Sequence, residues 1–186
     1  MFFLLLINDM KASSLLFKFI QFADDTTLIF SFANFVQMQN ILESDIKKVI
    51  EWLKVNKLIL NVEKTQVMLF SFKKNNPKLS LKIGDTEIEE KSETNFLGMQ
   101  LDNKLTWKAH IAHTCKKVSK SIAVLRLVRS IFPKNILKII YMSLFYSYVS
   151  YCNLIWGSAV YGVIKPLFLL KKTYKNYSIF SILGTY

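Results

Sequence analysis

The chain has 186 residues, of which 52% are hydrophobic, enough for the core of one domain or of a domain and a half. Its 25 Lys and Arg residues against 13 Asp and Glu residues give a formal charge of +12, which indicates an anionic partner, either nucleic acid or a membrane surface. Cys115 and Cys152 are far apart in the sequence and lack metal-ligand spacing, which argues against a disulfide framework or a zinc site. We therefore expect an intracellular protein of the cytoplasm or nucleus.

The N-terminal residues 2–7 form a short apolar run that resembles the start of a signal peptide. This run lacks a basic start and is shorter than the apolar region of about 7–15 residues in export signals. We therefore expect no export.

Two strand-like runs, residues 17–22 and 26–32, are rich in Phe, Ile, Leu and Thr and flank a short acidic connection. This four-residue connection, Phe22-Ala23-Asp24-Asp25, is predicted to place two carboxylates at the tip of a hairpin. Mg²⁺ is usually held by one or two carboxylates together with substrate phosphates, so the tip is a candidate divalent-metal site. Adjacent strand side chains point to opposite faces, so one Asp should be the main metal ligand unless the turn brings both carboxylates to the same side. An ordinary turn, in which Asp bonds nearby backbone, is the alternative.

An amphipathic helix is predicted over residues 36–54, packed against the sheet of this hairpin. Its apolar face consists of Met38, Ile41, Leu42, Val49, Trp52 and Leu53. Its polar side consists mainly of Glu43, Asp45, Lys47, Lys48 and Glu51.

A second region of short strands is predicted after this helix. Strands are expected at residues 58–60 and 66–72, followed by a loop at residues 75–77. A hairpin is expected between residues 79–83 and 87–90 around Gly84-Asp85, because Gly tolerates positive φ.

From Trp107 onward the apolar period becomes helical, with a stripe of Ile111, Cys115, Val118, Ile122 and Leu125. The basic residues off this stripe are Lys116, Lys117, Lys120, Arg126 and Arg129. Phe132-Pro133 is expected to end the helix, and a second helix begins near Lys134. His110, His113 and Cys115 would share the first helix without a fourth ligand, which favours structural or surface roles over a metal site.

The uncharged residues 139–164 exceed the roughly 20 residues that span a bilayer. Serines, tyrosines and Asn153 are distributed through this stretch and are unfavourable or unusual in a hydrocarbon core. We therefore expect a buried helix, and no membrane partner, with a membrane span as the alternative.

Phe22-Ala23-Asp24-Asp25 resembles the catalytic Tyr-x-Asp-Asp motif of reverse transcriptases, with Phe in place of Tyr. Further blocks follow the family's order and resemble the polymerases of non-LTR retrotransposons. The blocks that resemble the palm are residues 3–10, Trp52-Leu53, Asn56, Leu58, Leu60-Asn61, Glu63-Lys64-Thr65 and Asn95-Phe96-Leu97-Gly98. The blocks that resemble the thumb are Leu105-Thr106-Trp107-Lys108, His110-Ile111, Cys115-Lys116-Lys117 and Asn153-Leu154-Ile155-Trp156-Gly157.

The resemblance implies an α+β fold that consists of a partial polymerase palm followed by a helical thumb. The palm, a small antiparallel sheet with a packed helix, would cover residues 1–105, the thumb residues 106–164, and an unassigned tail residues 165–186. The family's first catalytic Asp, its fingers and the Gly-containing motif of the nucleotide pocket have no counterpart here. We therefore expect the C-terminal part of a reverse-transcriptase domain, inactive unless a complementing N-terminal polymerase half is supplied.

In this family two divalent ions, Mg²⁺ or Mn²⁺, promote transfer from a dNTP to the 3′-hydroxyl of a DNA primer on an RNA template. By position in the motif, Asp24 would be the stronger metal ligand and Asp25 the weaker one. Lys64 matches a palm lysine that protonates the departing pyrophosphate, with a solvated surface lysine as the alternative.

The resemblance also implies contacts with the primer and template. Phe96-Leu97-Gly98 would form the turn on which the primer terminus rests, because Gly permits close backbone approach, with apolar core packing as the alternative. Lys116, Lys117 and Lys120 would follow the phosphates of an RNA/DNA hybrid, with a solvated helix face as the alternative.

Two other function classes stay open from the sequence. The first is a non-catalytic basic module that binds nucleic acid. The second is a small membrane protein anchored by residues 139–164.

Overall fold

The computed structural model describes residues 2–32, 35–71 and 78–175 of the chain. The chain divides into two compact units, Met1–Lys91 and Ser92–Tyr186, and the described residues of each form an apolar core. Both units combine helices with short antiparallel hairpins, so the predicted α+β fold class is confirmed. Residue 72, the end of one predicted strand, and the predicted loop at residues 75–77 lie outside the described residues.

The described residues of the first unit form two helices, two 3₁₀ turns and two hairpins. The helical segments are α1 (Phe2–Ile7), a 3₁₀ turn (Met10–Ser13), α2 (Phe35–Val55) and a second 3₁₀ turn (Val62–Lys64). The strands are β1 (Lys18–Phe22), β2 (Asp25–Ile29), β3 (Leu81–Ile83) and β4 (Thr86–Ile88). β1 pairs with β2 and β3 pairs with β4, both antiparallel, so both predicted hairpins are confirmed.

Helix α2 forms over the predicted residues and buries a stripe of apolar side chains. The core of this unit consists of Phe17, Met38, Leu42, Val49, Leu79, Leu81, Ile83 and Ile88. One assignment was wrong, because Asp45 lies within the buried stripe at 2% exposure rather than on the polar side. Its spacing of three residues from Leu42 and four from Val49 is the signal for this position. The carboxylate is tolerated there because the side chains of Ser14 and Lys48 pair with it.

Two predicted strands do not form among the described residues. Residues 58–60 and 66–71 contain no strand beyond a single parallel bridge between Val67 and Glu90. Asn61 instead accepts local hydrogen bonds that close a 3₁₀ turn, which competes with pairing to a neighbouring strand. Apolar side chains of this segment still pack against the core, so burial occurs here without a hydrogen-bonded ladder.

The described residues of the second unit form one hairpin followed by helices. The strands are β5 (Glu93–Phe96) and β6 (Met99–Asp102), which pair antiparallel. The helical segments are α3 (Lys108–Val128), α4 (Lys134–Tyr141), a π-helical turn (Met142–Tyr146), α5 (Ser147–Ser150), α6 (Asn153–Trp156) and α7 (Tyr161–Lys175). The predicted stripe of α3 is confirmed, because Ile111, Val118, Ile122 and Leu125 are buried.

The single buried helix expected over residues 139–164 was wrong. The helical backbone ends at Ser150, Cys152 takes a left-handed conformation with φ of +51°, and α6 follows. The Trp156 indole N–H donates to the Tyr151 carbonyl at 2.8 Å, which satisfies a carbonyl that the broken helix leaves free. Among the described residues, no helix combines the length and apolarity needed to cross a membrane.

Part of the segment left unassigned from the sequence has a clear structural place. Helix α7 includes residues up to Lys175, packs along α3, and contributes Ile164 and Leu167 to the second core. The division into compact units falls between Lys91 and Ser92, whereas the palm and thumb boundary was expected near residue 105. The functional boundary stays a prediction.

Candidate functional site

Asp24 and Asp25 lie at the tip of the β1–β2 hairpin, and the connection is shorter than expected. Phe22 pairs with Asp25 in the last rung, so the turn consists of Ala23 and Asp24 rather than of four residues. Ala23 has a φ of +53°, a left-handed conformation that suits tight two-residue hairpin turns. Asp24 is therefore a turn residue and Asp25 the first strand residue after it, and both are exposed.

The hairpin packs one face against the core and leaves the other exposed. Phe19 and Leu28 face each other in the register and pack against the core of the first unit. Phe22, which is 63% exposed, and its partner Asp25 lie on the opposite face, because side chains alternate along a strand. The Asp25 carboxylate therefore stands beside an exposed aromatic ring.

The two tip carboxylates offer the hard oxygen ligands that divalent cations prefer. Neither Asp24 nor Asp25 forms a salt bridge or a side-chain hydrogen bond with another described residue. Within the described ranges, no group of three or more His, Cys, Asp or Glu side chains could hold a metal ion. The tip therefore fits part of a Mg²⁺ ligand set, which this ion usually completes with water and substrate phosphates.

A buried polar cluster fixes the chain that leads into β1. The Ser14 hydroxyl donates to the Asp45 carboxylate of α2, and its oxygen accepts from the amides of Leu16 at 3.1 Å and Phe17 at 3.4 Å. Lys48 donates to the same carboxylate at 2.5 Å. Burial by itself would raise the pKa of Asp45, but the Lys48 and Ser14 interactions outweigh it and hold the pKa below its ordinary value. Helix α2 thereby positions the acidic hairpin.

Lys64 belongs to the same compact unit as the acidic pair and lies at the end of the second 3₁₀ turn. Its side chain is exposed, while its amide donates to Asn61 Oδ1 at 3.1 Å. Of the described residues, neither Asp24 nor Asp25 forms an ion pair with Lys64. A direct contact therefore does not join the candidate acid to the candidate metal ligands.

The predicted primer turn joins β5 and β6 and belongs to the second unit. Phe96 pairs with Met99, and the connecting residues Leu97 and Gly98 have φ values of +47° and +83°. Positive φ at both positions matches the twist of an antiparallel hairpin. Leu97 is half-buried and Gly98 is exposed, so the apex of the turn is open to solvent.

Lys116, Lys117 and Lys120 lie on the exposed side of α3, away from its buried stripe. The Lys117 ammonium lies 5.1 Å from the centre of the Tyr148 ring, a distance suited to a cation–π contact. A row of exposed ammonium groups along one helix suits the phosphates of a nucleic-acid backbone. These lysines belong to the same unit as the β5–β6 turn.

Asp102, which the sequence did not single out, organises the connection from β6 to α3. Its carboxylate accepts from the amides of Lys104 at 3.1 Å, Thr106 at 2.9 Å and Trp107 at 2.9 Å, and from the Thr106 hydroxyl at 3.2 Å. Burial by itself would raise the pKa of Asp102, but these hydrogen bonds hold the pKa below its ordinary value. The only sequence signal was an acid just before the block Leu105-Thr106-Trp107-Lys108.

His110 packs as a core side chain. It is 4% exposed, its Nδ1 accepts from the Gln100 amide at 3.3 Å, and its ring centre lies 5.5 Å from that of Trp156. Burial, together with the charges of His113 and Lys117, lowers the pKa of His110. The ring therefore remains neutral near physiological pH and ties α3 to strand β6.

Comparison with protein families gives one finding. The model of the family described as reverse transcriptase (RNA-dependent DNA polymerase) matches residues 1–101, which include the acidic hairpin, Lys64 and the β5–β6 turn. No curated protein and no solved structure matches the chain. Because the matched residues make up more than half of the 186, the chain belongs to the reverse transcriptase family.

Proposed function

We propose that this chain carries the C-terminal part of the polymerase domain of a non-LTR retrotransposon, which extends a DNA primer on an RNA template. The observation that carries the proposal is the exposed pair Asp24 and Asp25 at the tip of an antiparallel hairpin, inside the segment that matches the family. Reverse transcriptases generally use divalent metal ions and act on template and primer nucleic acids.

Asp24 and Asp25 are the proposed ligands of Mg²⁺ or Mn²⁺. When bound, the ions supply activation of the primer 3′-hydroxyl and stabilisation of the pyrophosphate that leaves the dNTP. Asp24, in the turn, is the stronger ligand, and Asp25, on the exposed strand face, is the weaker one. The absence of competing ion pairs to these carboxylates among the described residues supports this assignment.

Other residues bind and orient the substrates in this proposal. Lys64, exposed at the end of its 3₁₀ turn, donates a proton to the departing pyrophosphate. The Phe96-Leu97-Gly98 turn meets the primer terminus, and Lys116, Lys117 and Lys120 contact phosphates of the RNA/DNA hybrid.

We further infer that the chain does not polymerise by itself. The matching motifs provide only two of the carboxylates that a two-metal site requires, and no third acidic, His or Cys side chain joins them among the described residues. A complementing N-terminal polymerase half would supply the missing carboxylate and the nucleotide pocket.

Primer extension on an RNA template, with Mg²⁺ or Mn²⁺, tests the proposal. The purified chain is assayed alone and with the N-terminal half of a related reverse transcriptase. Asp24→Asn is the test variant, and Asp85→Asn is its matched control, because Asp85 is also the second residue of an exposed two-residue hairpin turn.

We expect nucleotide incorporation only when the complementing half is present. Asp24→Asn should abolish this incorporation, and Asp85→Asn should retain it. Incorporation by the chain alone, abolished by Asp24→Asn, would mean that another carboxylate such as Asp9 completes the site, and the inferred incompleteness would be wrong. Incorporation that survives Asp24→Asn would contradict the assigned metal ligand.

The exposed lysines of α3 favour a second candidate, a non-catalytic module that binds RNA/DNA hybrids. Fluorescence anisotropy at several salt concentrations measures this binding. Replacing Lys116, Lys117 and Lys120 by Gln should reduce the slope of log K against log salt by about one for each lost phosphate contact. Replacement of Lys171 and Lys172 on α7 gives a control for charge loss elsewhere on the unit.

A further inference from the structure

The β5–β6 turn adopts a backbone conformation that its sequence does not favour. Both turn residues have positive φ, +47° at Leu97 and +83° at Gly98. Gly adopts this region freely, and the first position of such a turn is usually Asn, Asp or Gly. A Leu there is a steric outlier, so the surrounding structure must hold it in place.

Tyr151 contacts both residues of this turn. Its hydroxyl donates to the Leu97 carbonyl at 2.5 Å. Its ring lies against the other residue, since a Cβ added to Gly98 would be 3.6 Å from Tyr151 Cε1. One side chain therefore fixes the carbonyl of the strained residue and covers one side of the adjacent glycine.

Tyr151 is itself held from the helical side. It follows α5 directly, its amide donates to the Ser147 carbonyl at 3.2 Å, and its carbonyl accepts from the Trp156 indole at 2.8 Å. Trp156 is 3% exposed and packs beside His110, whose Nδ1 accepts from the Gln100 amide of β6. The segment between α5 and α6 is thus attached to the β5–β6 hairpin at two places. Tyr151 contacts the turn, and Trp156 contacts strand β6 through His110.

From this geometry we infer that Tyr151 is a positioning residue for the Leu97-Gly98 turn. Its hydroxyl keeps the turn in the one backbone conformation that presents the exposed apex to the 3′ end of a primer on its template. The inference rests on the proposed primer contact of this turn, whereas the hydrogen bond and the ring contact are properties of the second unit alone. Tyr151 does not touch the reacting groups.

The test compares Tyr151→Phe, which removes one hydroxyl and keeps the ring, with Tyr161→Phe. Tyr161 is a matched control because it is 68% exposed on α7 and its ring stacks on Phe168. The resonance of the Gly98 amide is followed by ¹H–¹⁵N NMR in the full chain. Binding is measured for an RNA/DNA hybrid with a recessed primer end and for a blunt hybrid of the same length.

We expect Tyr151→Phe to shift the Gly98 resonance, because the Leu97 carbonyl that loses its hydrogen bond belongs to the same peptide group as the Gly98 amide. The preference for the recessed end should fall, with affinity for the blunt hybrid unchanged. Tyr161→Phe should change neither the Gly98 resonance nor the preference for the recessed end. Adding Leu97→Asn to Tyr151→Phe should restore the preference for the recessed end, because Asn-Gly adopts this turn without external support.

An unchanged Gly98 resonance in Tyr151→Phe would overturn the inference. In a chain that prefers the recessed end, so would a failure of Leu97→Asn to restore this preference. If the unsubstituted chain does not distinguish recessed from blunt hybrids, the proposed primer contact fails. In that case the NMR result still decides whether Tyr151 positions the turn.

Discussion

Replacing Asp102 by Ala should destabilise the second compact unit strongly, although Asp102 lies at the end of a strand rather than in the apolar core. The substitution removes the acceptor for three backbone amides and one hydroxyl between Lys104 and Trp107. It also removes the support for Leu105 and Trp107, whose φ values are +52° and +64°. Helix α3 begins directly after this connection.

The magnitude follows from the hydrogen bonds that water cannot easily replace. A hydrogen bond to a charged group contributes about 1.5–3 kcal/mol to the free energy of unfolding. Lys104 and Thr106 are exposed, so water replaces part of the hydrogen bonds that their amides lose, and the amide of the half-buried Trp107 contributes the largest share. We expect Asp102→Ala to lower the free energy of unfolding by about 3–5 kcal/mol, and Asp102→Asn, which keeps one acceptor oxygen, by about half as much.

Urea unfolding followed by tryptophan fluorescence measures this loss. The assay uses a Trp52→Phe background, so that the remaining tryptophans, Trp107 and Trp156, both report on the second unit. Glu93→Ala, which removes an exposed acid of the same unit, is the control and should stay within about 0.5 kcal/mol of its parent. An Asp102→Ala loss no larger than that of the control would refute the assigned role of the carboxylate.

The pH dependence of the same loss gives a second check. The folded-state pKa of Asp102 lies below its ordinary value, so the ionised carboxylate stabilises the folded state at neutral pH. This contribution is complete above the unfolded-state pKa of about 3.9 and disappears as the pH falls through the lower folded-state pKa. The difference between Asp102→Ala and its parent should therefore shrink in acid.

Three further outcomes are expected. Asp45→Ala should destabilise the first unit by about 1–3 kcal/mol in urea unfolding, because the buried Ser14 hydroxyl loses its charged acceptor, whereas the exposed Lys48 ammonium returns to water. The stability of the second unit should fall as the pH drops below the unfolded-state histidine pKa of about 6.5, since the folded-state pKa of His110 is lower, and His110→Gln should remove this component. Gly98→Ala should destabilise by about 1 kcal/mol through its φ of +83°, whereas Gly162→Ala, in open space on α7, should be neutral or stabilising by roughly 0.5 kcal/mol in thermal unfolding.

Periodicity and turn chemistry predicted the elements that depend on local sequence. The long helices α2 and α3 follow from apolar spacing, and both hairpins of the first unit follow from strand-like runs on either side of turn-forming residues, although the β1–β2 turn is shorter than predicted. Residues 58–60 were wrongly predicted as a strand, because a short apolar run does not by itself distinguish a strand from another partly buried segment. The break at Cys152 was missed for a related reason, since hydropathy measures the burial of a run and not its backbone continuity.

The sequence likewise indicated some residues of the candidate site and missed others. The sequence indicated the Asp24–Asp25 tip and the Leu97-Gly98 turn, because turn residues and motif order mark both positions. It did not indicate Asp45 or Tyr151, whose partners Ser14 and Leu97 are distant in the chain. It also did not indicate Asp102, whose partners lie two to five residues ahead in an irregular connection. The Tyr151 hydroxyl and the Leu97 carbonyl are 54 residues apart in the chain, and no local pattern encodes such a pair.

Backbone strain and polar side chains coincide throughout the second unit. Among its described residues, the non-glycine residues with positive φ are Leu97, Leu105, Trp107 and Cys152. Each such residue raises the free energy of the folded state by about 1–2 kcal/mol. A side-chain hydrogen bond lies at or beside these positions: Tyr151 donates to the Leu97 carbonyl, the Trp107 amide donates to Asp102, and Trp156 donates to the Tyr151 carbonyl next to Cys152. Deleting a single polar atom should therefore change the geometry of a turn with little effect on core packing. Truncating a core residue of α3 should instead lower the stability of the whole unit and leave the turns native in the molecules that remain folded.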